Sequence, residues 1–393
     1  MRRRPRPAQG VSVSHSPVAI VRCADSNYDP ARVEADVRRA VDLLGGIARF
    51  VRPGQRVLLK PNLLRKSKPA DAVVTHPTVV RAMVRLVQEA GGRPIIGDSP
   101  GGAFSEPHLR DTYAVCGLRA VAEETGAELN FDLGIGRASA PSARLIKAFD
   151  IAQFALNADV IISLAKCKTH GLVGFTGATK NMFGVVPGIT KAGYHAKLVT
   201  SERLAEMLLD LLEAVRPAFT LMDAIVGMDG NGPSAGRPFP MGLLLASTDP
   251  VALDLAAVHI VGLKPDHALT LRVAQRRGLT SGRIEDVPIL GTPLSEAAVQ
   301  GFKPARTGVG DFGFVPAALR NAAVAQFVAS PKPSDHCVGC GICVDNCPQK
   351  AITLNGRRIT INLRRCIRCY CCHELCPSKA IDLTEPLLQK LVK

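Results

Sequence analysis

Apolar and polar positions alternate along residues 17–296 in two recurring patterns. Short runs rich in valine and isoleucine predict buried β-strands, and longer segments with one apolar stripe predict helices between them. The predicted strands are 18–22, 56–59, 94–97, 159–164, 219–222 and 242–246, and the predicted helices are 30–50, 77–90, 201–215 and 250–261. Thr200 and Asp249 are suitable N-caps for the last two helices. The alternation predicts an α/β domain with a largely parallel sheet.

Two stretches near the C-terminus repeat one cysteine pattern 29 residues apart. The first contains Cys337, Cys340, Cys343 and Cys347, followed by Pro348, and the second contains Cys366, Cys369, Cys372 and Cys376, followed by Pro377. Three thiolates spaced in this way bind three irons of one cluster, and the fourth reaches the other cluster. The predicted ligand sets are therefore Cys337, Cys340, Cys343 and Cys376 for the first cluster, and Cys366, Cys369, Cys372 and Cys347 for the second. Zinc is the alternative, although its ligands usually form two separated pairs.

These patterns divide the chain into several parts. We predict a disordered N-terminus at 1–16, the α/β domain at 17–296, a linker at 297–334, a small α+β ferredoxin-like domain with two [4Fe-4S] clusters at 335–385, and a tail at 386–393. The linker ends in Pro331-Lys332-Pro333-Ser334, which is typical of a stiff tether.

Charge and composition narrow the class of partner. Two clusters of about −2 each would lower the formal charge of +15 to about +11. Aromatic residues are only 4% and tryptophan is absent, which argues against a nucleic-acid surface. We therefore expect a small anionic substrate and a redox partner protein; a solvated basic surface without a ligand is the alternative.

The remaining composition predicts a cytoplasmic protein. The cysteines outside the two motifs form no disulfide-like framework, and free thiols suit a reducing compartment. No apolar run approaches the length of about 18 residues that a membrane span requires, and the N-terminus has no apolar core typical of a secretory signal.

Polar residues follow several predicted strands. Because the carboxyl ends of parallel strands form the ligand crevice of an α/β sheet, we expect these residues to converge. Lys60, Asn62 and Lys166 are predicted to bind the substrate. Asp98, Lys168 and His170 are the predicted catalytic residues, with His170 as the candidate for proton transfer because histidine titrates near neutral pH. Structural alternatives remain open: a turn at Asn62, a helix cap at Asp98 and a packed histidine at 170.

A glycine-punctuated segment spans residues 174–188 and contains Lys180 and Asn181. Its spacing does not match a P-loop, because no Ser or Thr follows Lys180. We expect a lid in which Lys180 and Asn181 contact an anionic ligand, or otherwise a mobile loop without a ligand.

Several of these segments resemble a known family. They include Leu59-Lys60-Pro61-Asn62-Leu63, Gly97-Asp98-Ser99-Pro100-Gly101, Lys166-Cys167-Lys168-Thr169-His170, Gly177-Ala178-Thr179-Lys180-Asn181 and Val251-Ala252-Leu253-Asp254. Together they resemble the domain-of-unknown-function family 362, many members of which carry a C-terminal ferredoxin module. The resemblance implies no catalytic assignment, because the reaction of the family is not generally established.

Three classes of function fit the sequence. The first is an oxidoreductase in which the clusters exchange electrons with a substrate in the α/β domain. The second is an electron-transfer adaptor that docks a partner redox protein, and the third is a metal or cluster carrier. We favour the first, because a two-cluster ferredoxin needs no large companion domain to transfer electrons. A deep polar crevice near a cluster would distinguish the enzyme from the adaptor.

Overall fold

A computed structural model describes residues 15–198, 200–305 and 328–384. Residues 1–14 of the predicted disordered N-terminus, 306–327 of the predicted linker and the predicted tail at 386–393 lie outside the described residues. His15 is buried, with its Nδ1 atom 3.0 Å from Asp249 Oδ2 and its Nε2 atom 3.0 Å from Thr280 Oγ1. The predicted disorder therefore does not extend to His15, because this side chain packs against the domain.

The α/β domain consists of strands separated mostly by helices. Its strands are β1 (Val18–Arg22), β2 (Arg56–Pro61), β3 (Arg93–Ile96), β4 (Glu128–Leu129), β5 (Ile135–Ser139), β6 (Ala148–Ala152), β7 (Val160–His170), β8 (Gly174–Thr176), β9 (Phe219–Asp229), β10 (Arg237–Ser247) and β11 (Ile289–Gly291). Its helices are α1 (Pro30–Asp42), α2 (Pro77–Glu89), α3 (Glu106–Val115), α4 (Leu118–Thr125), α5 (Gln153–Leu156), α6 (Ala178–Asn181), α7 (Gly188–Lys197), α8 (Ser201–Ala214), α9 (Pro250–Ile260), α10 (Leu269–Arg276) and α11 (Leu294–Ala297). Short 3-10 helices occur at Ile47–Arg49, Pro69–Asp71, Met182–Val185, Pro265–His267 and Ile284–Asp286.

The central sheet is mixed but largely parallel. Its order is β11-β1-β10-β9-β7-β2-β3-β4, with β8 paired to the end of β7. Strand β7 is parallel to both neighbours, β2 and β9, and only β8 and β10 run antiparallel to their partners within the described sheet. The predicted α/β fold class is confirmed.

Both faces of the sheet are covered. In β2, Leu58 packs into one apolar layer, while Val57 and Leu59 pack into the layer on the opposite face. Helices α1 to α4 contribute to the second layer, and α8 to α10 contribute to the first. This burial on both sides explains why the strands read as nearly continuous apolar runs.

Side chains cap the main helices. Asp29, Thr200 and Asp249 accept backbone N–H bonds at the starts of α1, α8 and α9. The capping side chain of α2 is His76, whose Nδ1 accepts from the Thr78 N–H at 3.3 Å. These bonds satisfy N–H groups that have no partner within the helix.

Strands β7 and β9 are longer than the sequence predicts. Lys166, Lys168 and His170 therefore lie on β7 itself, not in a loop after it, and Asp223 lies on β9. The predicted strands end before charged residues because unpaired charges are rarely buried. Here the charges are paired: Lys166 and Asp223 are neighbours across β7 and β9, and Lys166 Nζ lies 2.7 Å from Asp223 Oδ2.

The segment 174–188 forms regular structure and not a loop. It contains β8, α6 and the 3-10 helix Met182–Val185, and the side chains of Phe175, Met182 and Val185 are buried. The Asp254 carboxylate accepts the N–H groups of Ala178 at 2.6 Å and Thr179 at 3.0 Å. Apolar packing and this buried acceptor hold the segment in regular structure, so the alternative of an irregular loop is wrong. The lid in which Lys180 and Asn181 contact an anionic ligand stays a prediction.

The C-terminal module is a small α+β unit that packs against the α/β domain. Its elements are β12 (Ser330–Pro333), α12 (Ile342–Asp345), β13 (Ile352–Asn355), β14 (Arg358–Ile361), α13 (Cys371–Leu375) and β15 (Ile381–Thr384), with β12 antiparallel to β15 and β13 antiparallel to β14. His373 on α13 is buried, with Nε2 3.3 Å from the carbonyl oxygen of Asn231. Ser234 donates its hydroxyl to the carbonyl oxygen of His373 at 3.4 Å.

Candidate functional site

Two cavities in the C-terminal module each contain one of the predicted sets of four cysteines. One is lined by Cys337, Cys340, Cys343 and Cys376, and the other by Cys347, Cys366, Cys369 and Cys372. The last cysteine of each motif thus lies in the cavity of the other motif, as the predicted ligand sets require. The Ala351 N–H donates to Cys347 Sγ at 3.2 Å, and the Ala380 N–H donates to Cys376 Sγ at the same distance. Four sulfur donors with amide hydrogen bonds suit a four-iron cluster.

A third cavity, of about 90 Å³, lies between the α/β domain and the C-terminal module. We call it the interdomain cavity. Its polar lining from the α/β domain consists of Lys60, Asn62, Asp98, Ser99, Lys180, Asn181, Lys191 and His195. The C-terminal module contributes Asn346, Cys371, Glu374 and Leu375. Strand ends, α6 and α7 therefore form one wall, and α13 forms another.

Lys60 and Asp98 form a buried ion pair at the floor of the cavity. The Lys60 Nζ atom lies 2.9 Å from Asp98 Oδ1, and Asp98 Oδ2 accepts the Leu63 N–H at 2.8 Å. Burial lowers the pKa of Lys60, and Asp98 opposes that shift. A β-carbon on Gly184 would lie only 2.0 Å from Asp98 Oδ1, so this glycine allows the backbone to pass over the pair.

Several polar groups face the cavity without a partner. Within the described residues, Lys180 Nζ has no hydrogen bond or ion pair, and it lies over the Phe183 ring, 5.7 Å from the ring centroid. The Ser99 hydroxyl is buried without a hydrogen bond, whereas Glu374 Oε1 lies 3.3 Å from His170 Nε2. Because buried polar groups are almost always paired in folded proteins, this combination indicates a site for a polar ligand.

Two titratable residues on α7 complete this wall. Burial lowers the pKa of Lys191 to about 7, although the Asp98 charge opposes the shift. Lys191 Nζ also donates to the carbonyl oxygens of Ser99 and Pro100. Burial lowers the pKa of His195 to about 3, so its imidazole is neutral at neutral pH.

The structure brings together some predicted site residues and separates others. Lys60, Asn62, Asp98, Lys180 and Asn181 line the cavity. Lys168 does not: it is buried one layer behind, where its Nζ donates to Asn62 Oδ1 at 2.7 Å and to the Val73 carbonyl oxygen at 2.6 Å. Burial holds the pKa of Lys168 well below its usual value.

His170 and Lys166 are also outside the cavity lining. His170 Nδ1 accepts the Leu172 N–H at 3.0 Å, and burial holds the pKa of His170 well below its usual value. The neutral ring therefore carries its proton on Nε2, which lies 3.3 Å from Glu374 Oε1. Lys166 belongs to a separate network with Asp223 and Tyr28. The expectation that Lys166, Lys168 and His170 share one surface with Lys60 is wrong, because the extended β7 carries them into the interior.

Three titratable residues of the site, Lys191, His195 and Glu374, are absent from the residues predicted from the sequence. Lys191 and His195 are four positions apart and therefore lie on one face of α7, a signal that could have been read beyond the glycine-rich segment. Glu374 lies within the second cysteine motif, where the first motif also has an acid, Asp345. The repeat alone does not indicate that Glu374, and not Asp345, lines the interdomain cavity.

Cys371 connects the two kinds of site. It lines the interdomain cavity and also the cavity of the second cysteine set. Cys372, the next residue, belongs to that set. The interdomain cavity and the cavity of the second cysteine set therefore share one lining residue.

Comparisons with known proteins agree with the two-part organisation. Residues 57–259 match the model of a domain of unknown function, DUF362, and residues 336–380 match a 4Fe-4S dicluster domain. The chain is 37% identical over 277 residues to a thylakoid-associated protein of Synechocystis sp., a match that covers 68% of this chain and 81% of that protein. The cytoplasmic location expected from the sequence stays a prediction. Among the residues that the structure describes, no helix combines the length and apolar composition needed to cross a bilayer.

Solved structures are similar only at low levels. The lactate racemase apoprotein from Thermoanaerobacterium thermosaccharolyticum aligns with a TM-score of 0.38 and 14% identity over 63% of this chain and 57% of that chain. A protein from Thermotoga maritima aligns with a TM-score of 0.37 and 10% identity, over 63% of this chain and 59% of that chain. The family match covers more than half of the sequence and confirms the resemblance that the motifs predict. The chain belongs to the DUF362 family and is an iron-sulfur protein with a C-terminal 4Fe-4S dicluster domain.

Proposed function

We propose that this protein is an oxidoreductase with two [4Fe-4S] clusters that exchanges electrons with a small anionic substrate in the interdomain cavity. The observation that supports this most directly is the position of Cys371 in the linings of both the interdomain cavity and the second cysteine set. Electron transfer requires proximity, and this arrangement provides it. A cavity that carries charged side chains and borders the second cysteine set also favours an enzyme over an adaptor with a flat docking face.

Lys180 and Lys191 are the groups we assign to substrate binding. Lys60 is already paired with Asp98, whereas Lys180 has no partner among the described residues. A charge-assisted hydrogen bond contributes roughly 1.5–3 kcal/mol, which corresponds to a factor of about 10–150 in affinity. Asn62 can donate one further hydrogen bond, because only one of its two amide N–H groups is used, toward Asn181 Oδ1. Asn181 Nδ2 already donates to the Lys60 carbonyl oxygen and to Ser163 Oγ.

The residues behind the cavity have positioning roles in this proposal. Lys168 fixes the amide of Asn62, because its Nζ donates to Asn62 Oδ1. Asp98 fixes Lys60, and His170 faces the Glu374 carboxyl group across the interface with the C-terminal module. These contacts replace the direct catalytic roles that the sequence predicts for Lys168, His170 and Asp98.

Clusters supply single electrons, so the protein must provide any protons that the substrate needs. Lys191 is the best candidate, because a pKa of about 7 suits proton transfer near neutral pH. His195 is too weak a base to hold a proton there, since its pKa is about 3. It can instead donate an N–H hydrogen bond from its neutral ring. A reducing cytoplasmic compartment and a separate redox partner protein are parts of the same proposal.

The test is a search for substrates that reoxidise the reduced protein. The protein is isolated without oxygen, reduced, freed of reductant and mixed with panels of small carboxylic and phosphorylated metabolites. We expect one class to accelerate the return of the oxidised cluster absorbance. Lys180→Ala should slow that reaction at limiting substrate, and Lys197→Ala, at the exposed end of α7, is the matched control. The absence of any active metabolite, or equal effects of the two variants, contradicts the proposal.

A further inference from the structure

The first cysteine set is the one that approaches solvent. Cys340 is the only exposed residue among the eight predicted cluster ligands. Val338, in the same loop, is 57% exposed although it is apolar. The cavity of this set shares no lining residue with the interdomain cavity, whereas the cavity of the second set shares Cys371 with it. The first cluster would therefore lie close to the solvent, and the second would lie close to the interdomain cavity.

Unpaired arginines lie beside the exposed loop. Arg357 and Arg358 are exposed at the turn between β13 and β14, and neither forms an ion pair within the described residues. The turn is close to the loop, because a β-carbon on Gly339 would lie 3.0 Å from Arg357 Cα. Arg364 and Arg365, after β14, are also exposed. An apolar residue over the cluster is thus bordered by positive charge.

We propose that Val338, Cys340, Arg357 and Arg358 form the docking surface for an acidic one-electron carrier protein, which exchanges electrons with the first cluster. In each encounter with a reduced carrier, the carrier loses one electron and the cluster gains it, and no bond or proton is transferred. The electron then passes to the second cluster, next to the interdomain cavity. This inference rests on the redox partner protein of the proposed function and assigns its docking surface, but it requires no cavity ligand.

Charge and chemistry together select this type of partner. Complementary charges accelerate transient association, and redox encounters typically use small interfaces in which one apolar contact is surrounded by charged residues. A nucleic acid would be attracted by the arginines, but it would give no reason for the exposed Val338 beside a cluster ligand. An acidic carrier accounts for both features.

The test uses the full protein with its clusters and a reduced, acidic flavodoxin as the probe. Reduction of the clusters is followed by stopped-flow absorbance at low and high ionic strength. Arg357→Glu/Arg358→Glu is compared with Arg52→Glu/Arg93→Glu, which has the same change in net charge. Arg52 and Arg93 are exposed at the amino ends of β2 and β3, on the edge of the sheet opposite to the one that contacts the module.

We expect the docking variant to be reduced about tenfold more slowly than the control at low ionic strength. The difference should disappear at high salt, because the charges are then screened. Dithionite, a small anionic reductant that needs no docking surface, should reduce both variants to the same extent at high salt, where its charge is screened, which excludes a damaged cluster. Equal rates for the two variants with flavodoxin, or no reduction of the unmodified protein by flavodoxin when dithionite succeeds, overturn the proposal.

Discussion

Removal of the Asp98 charge should destabilise the protein strongly. Asp98 and Lys60 are both buried, and their atoms approach to 2.9 Å. In Asp98→Asn, Lys60 keeps its hydrogen bond to the Pro61 carbonyl oxygen but loses its only carboxylate partner among the described residues. The loss of one partner from a buried ion pair costs roughly 3–5 kcal/mol, because the remaining charge is not compensated.

The assay is urea unfolding of the anaerobic protein, followed by far-ultraviolet circular dichroism. A loss of this size should lower the urea midpoint by roughly 1–2 M, given the steep denaturant dependence of a large domain. The double variant Lys60→Met/Asp98→Asn should recover more than half of the loss, because it no longer buries a charge. Asparagine can still accept the Leu63 N–H in both variants.

The pH dependence of Asp98→Asn has a defined sign. Burial lowers the pKa of Lys60 below its ordinary value of 10.5. Between the lowered pKa of Lys60 in the folded chain and its pKa in the unfolded chain, the unfolded chain binds more protons than the folded chain. The free energy of unfolding of the variant therefore rises with pH over that range. Its deficit relative to the unmodified protein should shrink as pH approaches 10.5. An unchanged urea midpoint for Asp98→Asn, or a double variant as unstable as the single one, would refute this reasoning.

Three further predictions test other parts of the molecule. Cys347→Ser should lower the iron content below about eight atoms per chain, because it damages the second cluster and leaves the first intact. Cys371→Ser should keep both clusters. Iron and sulfide analysis, together with electron paramagnetic resonance, checks both expectations. Sulfate should bind in the interdomain cavity less tightly as pH rises through 7, because Lys191, whose pKa is about 7, loses its charge. Calorimetric titration measures this affinity, and in Lys191→Met the affinity should not depend on pH in this range. Arg65→Gln should make the first cluster harder to reduce in a potentiometric titration, because Arg65 is a buried cation near Cys376 without an ion-pair partner in the described residues.

Some features could be predicted from the sequence because their physical signals are local. The cysteine repeat specifies which side chains share a cavity, and the apolar runs specify strands buried on both faces. Polar residues at the carboxyl ends of parallel strands are expected to converge, and Lys60 and Asp98 do lie together at one edge of the sheet.

Other features depend on contacts between distant residues. Lys168 and His170 end a run that reads as polar, yet β7 continues through them because Asn62 and Glu374 provide partners from elsewhere in the chain. Segment 174–188 is rich in glycine, but the carboxylate of Asp254 fixes it from a distant helix. The role of Glu374 depends on how the module packs against the domain, which no local pattern encodes.

The proposed function requires a ligand in the interdomain cavity to exchange electrons with the second cluster. The most direct measurement mixes fully reduced protein with a limiting amount of an anionic ligand identified by the metabolite panel, and follows cluster oxidation, product formation and binding together. We predict that the clusters become oxidised as product forms, with one electron taken from each of the two clusters for a two-electron reduction, and that Lys180→Ala slows the reaction at least tenfold at limiting ligand. Calorimetric binding in the cavity while both clusters stay reduced would contradict the account.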